Sequence, residues 1–278
     1  MIELTYRFSA AKGTKFVAPM GVMTPHAAPL GFDIDGAEVG GVAAPNCAQM
    51  LAHGVVTGDA VTMRVRFAPS GPNYPDQMFV PTNSRYTRSA TALAGETQEI
   101  AKAAGGGQAG ILAIVNHVAG LFEYGHPEER FYDGHDELPQ LCSLAQGSCV
   151  DINAYLIASL RAAGYEAGYI YGVFVPEEKK TWAVDGHCWV VTRHDGQYQE
   201  WDIAHFLKMG RREVAPALNP KPGVRLPMAH SMGWTVPLLG IEDFKLFGLP
   251  LQLIDGGVTD FPDLTFGLSG YEALAARG

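Results

Sequence analysis

Hydrophobic and polar positions alternate twice in the first part of the chain, as Leu4, Tyr6 and Phe8 against Thr5 and Arg7, then as Val61, Met63, Val65 and Phe67 against Thr62, Arg64 and Arg66. A period of two puts the apolar side chains on one face, so each run predicts a half-buried antiparallel strand. The stretch between them is rich in Gly, Ala and Pro, and residues 1–75 are expected to form a small β-sandwich. The turn-rich run Pro69-Ser70-Gly71-Pro72-Asn73-Tyr74-Pro75 then acts as a linker. Beyond it the period changes to that of a helix. Ile111, Leu112, Val115, Val118 and Phe122 line one face of a helix predicted over 108–124, a shorter helix is predicted over 96–104, and Gly105-Gly106-Gly107 separates the two.

A third apolar run extends from Cys149 to Ala163 and carries its own punctuation. Ser148 stands as N-cap, Asp151 completes a capping-box pattern, and Gly164 occupies the left-handed position after the last turn. Only Asp151, Asn153, Ser159 and Arg161 are strongly polar, so this helix should be nearly surrounded by protein. Three strands are predicted next, over 168–175, 186–193 and 197–204. Asp195-Gly196 lies between the last two, flanked by β-prone residues, and signals a two-residue type I′ hairpin. That turn fixes a register in which Trp189 faces Asp202 and His187 faces Ala204. After Ala204 prolines recur at 216, 220, 222, 227, 237, 250 and 262, so residues 76–278 are expected to form a second domain whose own tail, about 206–278, wraps its core as extended segments.

Composition narrows the function classes. A length of 278 residues allows a sizeable core and a prior of about two domains. With 47% hydrophobic and 18% charged residues, the chain is neither disordered nor fibrous. The formal charge of −9, with no basic run beyond Arg211-Arg212, argues against a nucleic-acid partner. No apolar stretch reaches the roughly 18 residues of a membrane span, so no membrane association is expected. The first eight residues read as a strand and not as a signal peptide, which favours the cytoplasm. Cys47, Cys142, Cys149 and Cys188 are too sparse for a disulfide framework and are read as reduced thiols. Oligomeric state is left open.

Candidate chemistry centres on Cys149, at the first position of its helix. First-turn N–H groups lack intrahelical partners and the macrodipole is positive there, so a thiolate is favoured, with pKa values of such cysteines lowered to roughly 3.5–7.5. In the predicted hairpin His187 and Asp202 are diagonal neighbours on one face, roughly 7–8 Å apart along the backbone, within reach of a hydrogen bond. Parity turns Cys188, Val190 and Trp201 to the other face. This weakens a zinc site built from Cys142, Cys149, His187 and Cys188, since a strand does not readily aim adjacent residues at one ion. The arrangement predicts attack by the Cys149 thiolate on an acyl carbon, with His187 as base and Asp202 as its orienter. The Cys149 N–H is a natural oxyanion donor, and Gln146 and Gln140 are candidates for the second. Trp189 is a candidate groove wall, whereas Trp201 reads as core. No cofactor or metal is expected: Glu123, His126, Glu129, His135 and Asp136 read as a solvated loop, and Asp33-Ile34-Asp35-Gly36 as a turn.

Gly147-Ser148-Cys149-Val150-Asp151, Leu160-Arg161-Ala162-Ala163-Gly164-Tyr165, Gly186-His187-Cys188-Trp189-Val190 and Trp201-Asp202 together resemble the transglutaminase-like core of the papain-like cysteine peptidase superfamily. The order Cys, His, Asp matches, over roughly residues 80–205. The resemblance implies an α+β fold in which a buried helix bearing the nucleophile packs on an antiparallel sheet, here preceded by a β-sandwich as in bacterial members. It also implies a thiol-dependent acyl-transfer enzyme acting on a peptide or protein substrate: peptidase or amidase first, transamidase (transglutaminase) as the alternative, or a catalytically silent binding module on the same scaffold. The commonest pattern in the family has Ala after the histidine, where this chain has Cys188.

Overall fold

Six strands occupy the first 68 residues of the computed structural model, which describes residues 1–183, 185–255 and 257–276. They are β1 (Ile2–Ser9), β2 (Lys15–Pro19), β3 (Ala28–Asp35), β4 (Ala37–Ala44), β5 (Gln49–Val56) and β6 (Ala60–Ala68). Leu4, Tyr6 and Phe8 of β1 and Val61, Met63, Val65 and Phe67 of β6 are buried, following the period of two. Asp33 and Asp35 pair with Arg66 and Arg64 on the neighbouring strand, so these carboxylates serve the sheet surface. The following segment is less of a linker than its composition predicts. Tyr74, Met78 and Phe79 are buried against Ile170, Trp189 and Val191, and the Tyr74 hydroxyl donates to Glu200 at 2.7 Å.

Three helices follow: α1 (Thr91–Ala103), α2 (Gly107–Leu121) and α3 (Cys149–Ala162). α1 starts five residues before the predicted position. Gly105, Gly106 and Gly107 all have positive φ, at 87°, 72° and 56°, which is why a glycine run divides α1 from α2. α2 stops at Leu121, and Phe122–Tyr124 form β7 instead, paired in parallel with β8 (Ala145–Gly147), the strand that leads into Cys149. Ile152, Tyr155, Leu156, Ile157 and Leu160 of α3 are fully buried; such side chains contribute about 1.5–3 kcal/mol each.

The central sheet is antiparallel, in the order β12–β11–β9–β13, from β9 (Glu166–Pro176), β11 (Gly186–His194), β12 (Gln197–Trp201) and β13 (Gly223–His230); β10 (Trp182–Ala183) leaves it to join the sandwich. His194 pairs with Gln197 and Val190 with Trp201, the predicted register, and Asp195 and Gly196 have φ of 49° and 74°, both positive as a type I′ turn requires. The predicted strand over 197–204 ends early. Pairing stops at Trp201, and Asp202 caps α4 (Ile203–Lys208) by accepting the His205 N–H at 3.0 Å. Asp202, with its short acceptor side chain, is a strong N-cap, and this local bond competes successfully with continuing the ladder. Ala167, Tyr169 and Tyr171 of β9, with Cys188, Val190 and Trp201, meet α1, α2 and α3 in one core.

The C-terminal tail forms more sheet than wrap. β14 (Trp234–Val236) and β15 (Ile241–Phe244) make a small hairpin, and β16 (Leu251–Ile254), β17 (Gly257–Asp260) and β18 (Thr265–Ser269) precede α5 (Tyr271–Ala275). β18 lies between β10 and β1 in the order β10–β18–β1–β6–β3, and β16 lies between β17 and β2 in the order β17–β16–β2–β5–β4. A boundary at residue 75 therefore does not enclose the sandwich. β1 and β2 would be bare edges without these strands, and an unpaired edge is what a sheet must cover. Among the described residues no helix is long and apolar enough to cross a membrane.

Candidate active site

Ser148 is the N-cap of α3, and the Asp151 carboxylate accepts both its N–H at 2.9 Å and its hydroxyl at 2.7 Å. Asp151 is itself buried and takes further bonds from the Tyr132 hydroxyl and from Arg130. This anchored first turn fixes Cys149 at N1, 8% exposed. The Cys149 thiol is held well below its usual pKa, first by a hydrogen bond from the Cys188 thiol, against the opposing effect of burial, and further by His187 and the charge of Lys208.

His187, the second residue of β11, places Nε2 2.8 Å from Asp202 Oδ2. With the carboxylate ionised, Nε2 must carry the hydrogen, which leaves Nδ1 as the nitrogen available to the Cys149 thiol. Burial disfavours a charged imidazole, yet the charge and hydrogen bond of Asp202, together with Cys149, raise the His187 pKa above its ordinary value. Asp202 is fully buried and collects three partners on Oδ2: His187, the His205 Nδ1 at 2.8 Å, and the Arg225 guanidinium of β13. Against the penalty of burial, His187 and Arg225 hold Asp202 well below the carboxylate range. The His205 ring stacks on that of His187, centroids 4.1 Å apart and planes 8° from parallel, and burial pushes its pKa down to about 4. His205 is thus a neutral plate against the His187 ring, closed on its side by Phe174 at 4.5 Å.

The side chains singled out from sequence fare differently. Cys149, His187 and Asp202 converge. Cys188 faces away from His187, as its parity predicts, but this turns it toward α3. Asn153, one turn after Cys149 on the same helix face, reaches Cys188 with Nδ2 3.4 Å from Sγ. Register gives two faces of a strand without saying which one the helix covers, and because residues 187 and 188 stand at the end of β11, both reach Cys149. Trp189 does not line a groove. It is 1% exposed, packed against Met78 and Phe79 under the Arg225 guanidinium, 4.9 Å from its ring. Gln146 is exposed on β8, lying over Gly125, and Gln140 is half-buried in the loop before it. Trp201 is core, its Nε1 donating to Thr192.

Cys142 is exposed on its loop, and burial pushes the Cys47 thiol up to about 12. Among the described residues the side chains that converge as a metal site would are His187, Asp202 and His205. Both histidines are already bonded to one Asp202 oxygen, and Arg225 stands where a cation would, so this donor set suits a hydrogen-bonded cluster. Arg225 and His205 were invisible in the sequence. Neither belongs to a local motif, and Arg225 arrives from a strand 23 residues beyond Asp202.

Residues 93–203 match the family model of the transglutaminase-like superfamily. This stretch is a transglutaminase-like core. It contains Cys149, His187 and Asp202. A candidate cysteine protease from Cytophaga hutchinsonii superposes over 96% of this chain and 96% of its own with a TM-score of 0.52; at 12% identity the likeness is one of fold. The periplasmic domain of TgpA from Pseudomonas aeruginosa aligns with 76% of this chain and 92% of its own at 16% identity, with a TM-score of 0.40. No curated protein matches the sequence. The transglutaminase-like core ends at α4, so Arg225 reaches it from outside the matched residues.

Proposed function

We propose that the protein is a cysteine-dependent acyl-transfer enzyme, a peptidase or amidase that works through a thioester on Cys149. The observation that carries this reading is the division of the His187 ring: Nε2 is bonded to buried, ionised Asp202, and Nδ1 is left for a thiol whose pKa is lowered. A thiolate beside an imidazolium is the resting pair of a thiol nucleophile.

The Cys149 sulfur attacks the carbonyl carbon and the oxygen takes up the displaced electron pair. The N–H of Cys149, in the unpaired first turn of α3, stands ready to receive that charge. As the carbon–nitrogen bond breaks, the proton on His187 Nδ1 passes to the departing amine, leaving the thioester. Water then gives its proton to Nδ1 and adds to the thioester, and the thiolate leaves. Asp202 keeps Nε2 protonated throughout, so only Nδ1 exchanges protons.

Iodoacetamide alkylation across pH tests the nucleophile. Cys149 should react well below pH 7, where exposed Cys142 in the same chain serves as reference; equal rates at the two sites sink the proposal. Turnover of glutamine peptides with and without a primary amine separates hydrolysis from transamidation. Hydrolysis alone in excess amine supports the peptidase or amidase, and Cys149→Ala should abolish either.

A further inference from the structure

Beside His187 opens a cavity of about 160 Å³ whose rim carries Lys179, Lys208 and Lys221 against one acid, Asp185. The chain has eight lysines and a net charge of −9, so three ammonium groups around one small cavity run against its overall balance. Two of them lie over aromatic rings and in no salt bridge among the described residues. The Lys179 Nζ lies 4.0 Å from the centre of the Trp182 ring and the Lys208 Nζ 4.2 Å from that of Tyr124, and an aromatic face positions a cation while leaving its charge available. Lys221 is shared with Glu178 at 3.3 Å at the surface.

The position of this cavity gives it a role. His187 delivers the proton to the departing amine, so the portion of substrate that carries the amine lies on the His187 side. From this we infer that the cavity is a leaving-group subsite for a carboxylate: the amine released carries a carboxylate within one residue of the bond broken, received by Lys179, Lys208 and Lys221. The inference rests on the proposed role of Cys149 and His187 and adds the substrate class. A volume of this size suits a single residue and not an extended chain. The carboxylate comes either from a free C-terminus or from an acidic side chain.

Mixed N-acetyl-tripeptidyl pools ending in glycine, in glycinamide or in aspartic acid α-amide are the probes, with release of the three amines as the readout. Glycine should be released about tenfold faster than glycinamide, a preference that exposed charges can supply and that salt weakens. In the Lys179→Gln/Lys221→Gln variant the ratio should fall toward one. Aspartic α-amide released as fast as glycine identifies a side-chain carboxylate as sufficient, and slower release identifies the free C-terminus. Equal release of glycine and glycinamide, or a ratio untouched by the double substitution, overturns the subsite. If no amine is released, the ratio of Cys149 alkylation by iodoacetate to that by iodoacetamide decides: a ratio above that of Cys142 and lowered by the variant upholds the subsite, and one the variant leaves unchanged refutes it. Failure of the nucleophile itself shows separately, as an iodoacetamide rate at Cys149 no greater than at Cys142.

Discussion

At the scale of single residues, the protonation states of four side chains decide what this site does. Cys149 is lowered and His187 raised, so the thiolate and imidazolium coexist between the two values. Activity should therefore follow a bell, falling on the acid side as Cys149 protonates and on the alkaline side as His187 loses its proton. Cys188 is the largest single influence lowering Cys149, which yields a sharp expectation: Cys188→Ala moves the acid limb of the activity profile, and with it the rise of the alkylation rate, to higher pH while leaving the alkaline limb of activity, set by His187 and Asp202, in place. An unmoved acid limb would show that the Cys188 thiol does not stabilise the thiolate. Arg225 acts one step further out. Arg225→Met strips a cation from a fully buried carboxylate, and breaking such a pair typically costs about 3–5 kcal/mol. Chemical denaturation should read that loss, and the activity of the surviving folded fraction should drop as well, because Asp202 then holds its charge less firmly under His187.

Among the elements, the contact between β9 and β13 brings Arg225 to the site. Gly172 sits between His187 on one side and Pro227 on the other, and a Cβ there would lie 2.0 Å from the Leu226 carbonyl oxygen. Backbone cannot yield as a flexible side chain does. Gly172→Ala should push β13 outward and cost about 1–3 kcal/mol of stability, the usual range for overpacking. It should also lower activity beyond the stability loss, since Arg225 moves with its strand. Thermal unfolding with activity on the folded protein checks both, and an alanine variant of unchanged stability would mean that β13 is free to shift. Elements whose causes are local were legible in advance. The capping residues of α3 lie within four positions of one another, and the Asp195-Gly196 turn sets pairing out to Trp201. The point where β12 yields to α4 was not, because Asp202 chooses between a ladder and a helix cap.

Over the whole molecule, two histidines buried as neutral rings link stability to pH. Burial lowers His205 and His230 to about 4 from an ordinary 6.5. The unfolded chain binds protons at both as pH falls below 6.5 while the folded chain does not, so their contribution is complete above that value and drains between about 6.5 and 4. His187, raised, works in the opposite direction: its contribution is present at low pH and is lost as pH rises through its folded value. The urea midpoint should fall from pH 7 to pH 5, with about 2 kcal/mol per lowered histidine over that interval, partly offset by His187. His230→Gln should lessen the fall, and a midpoint that holds steady would contradict the two buried neutral rings. By itself the sequence determined the helix that presents Cys149, the hairpin register out to Val190 and Trp201, and the chain order of Cys149, His187 and Asp202, because each follows from residues within a few turns or one hairpin of each other. Only the tertiary structure decided which face of β11 meets α3, that Trp189 is core, that Arg225 and His205 complete the Asp202 cluster, and that β16 and β18 close the sandwich begun by β1 and β2. Those outcomes depend on pairings between distant segments, chosen by which apolar faces and buried charges satisfy one another.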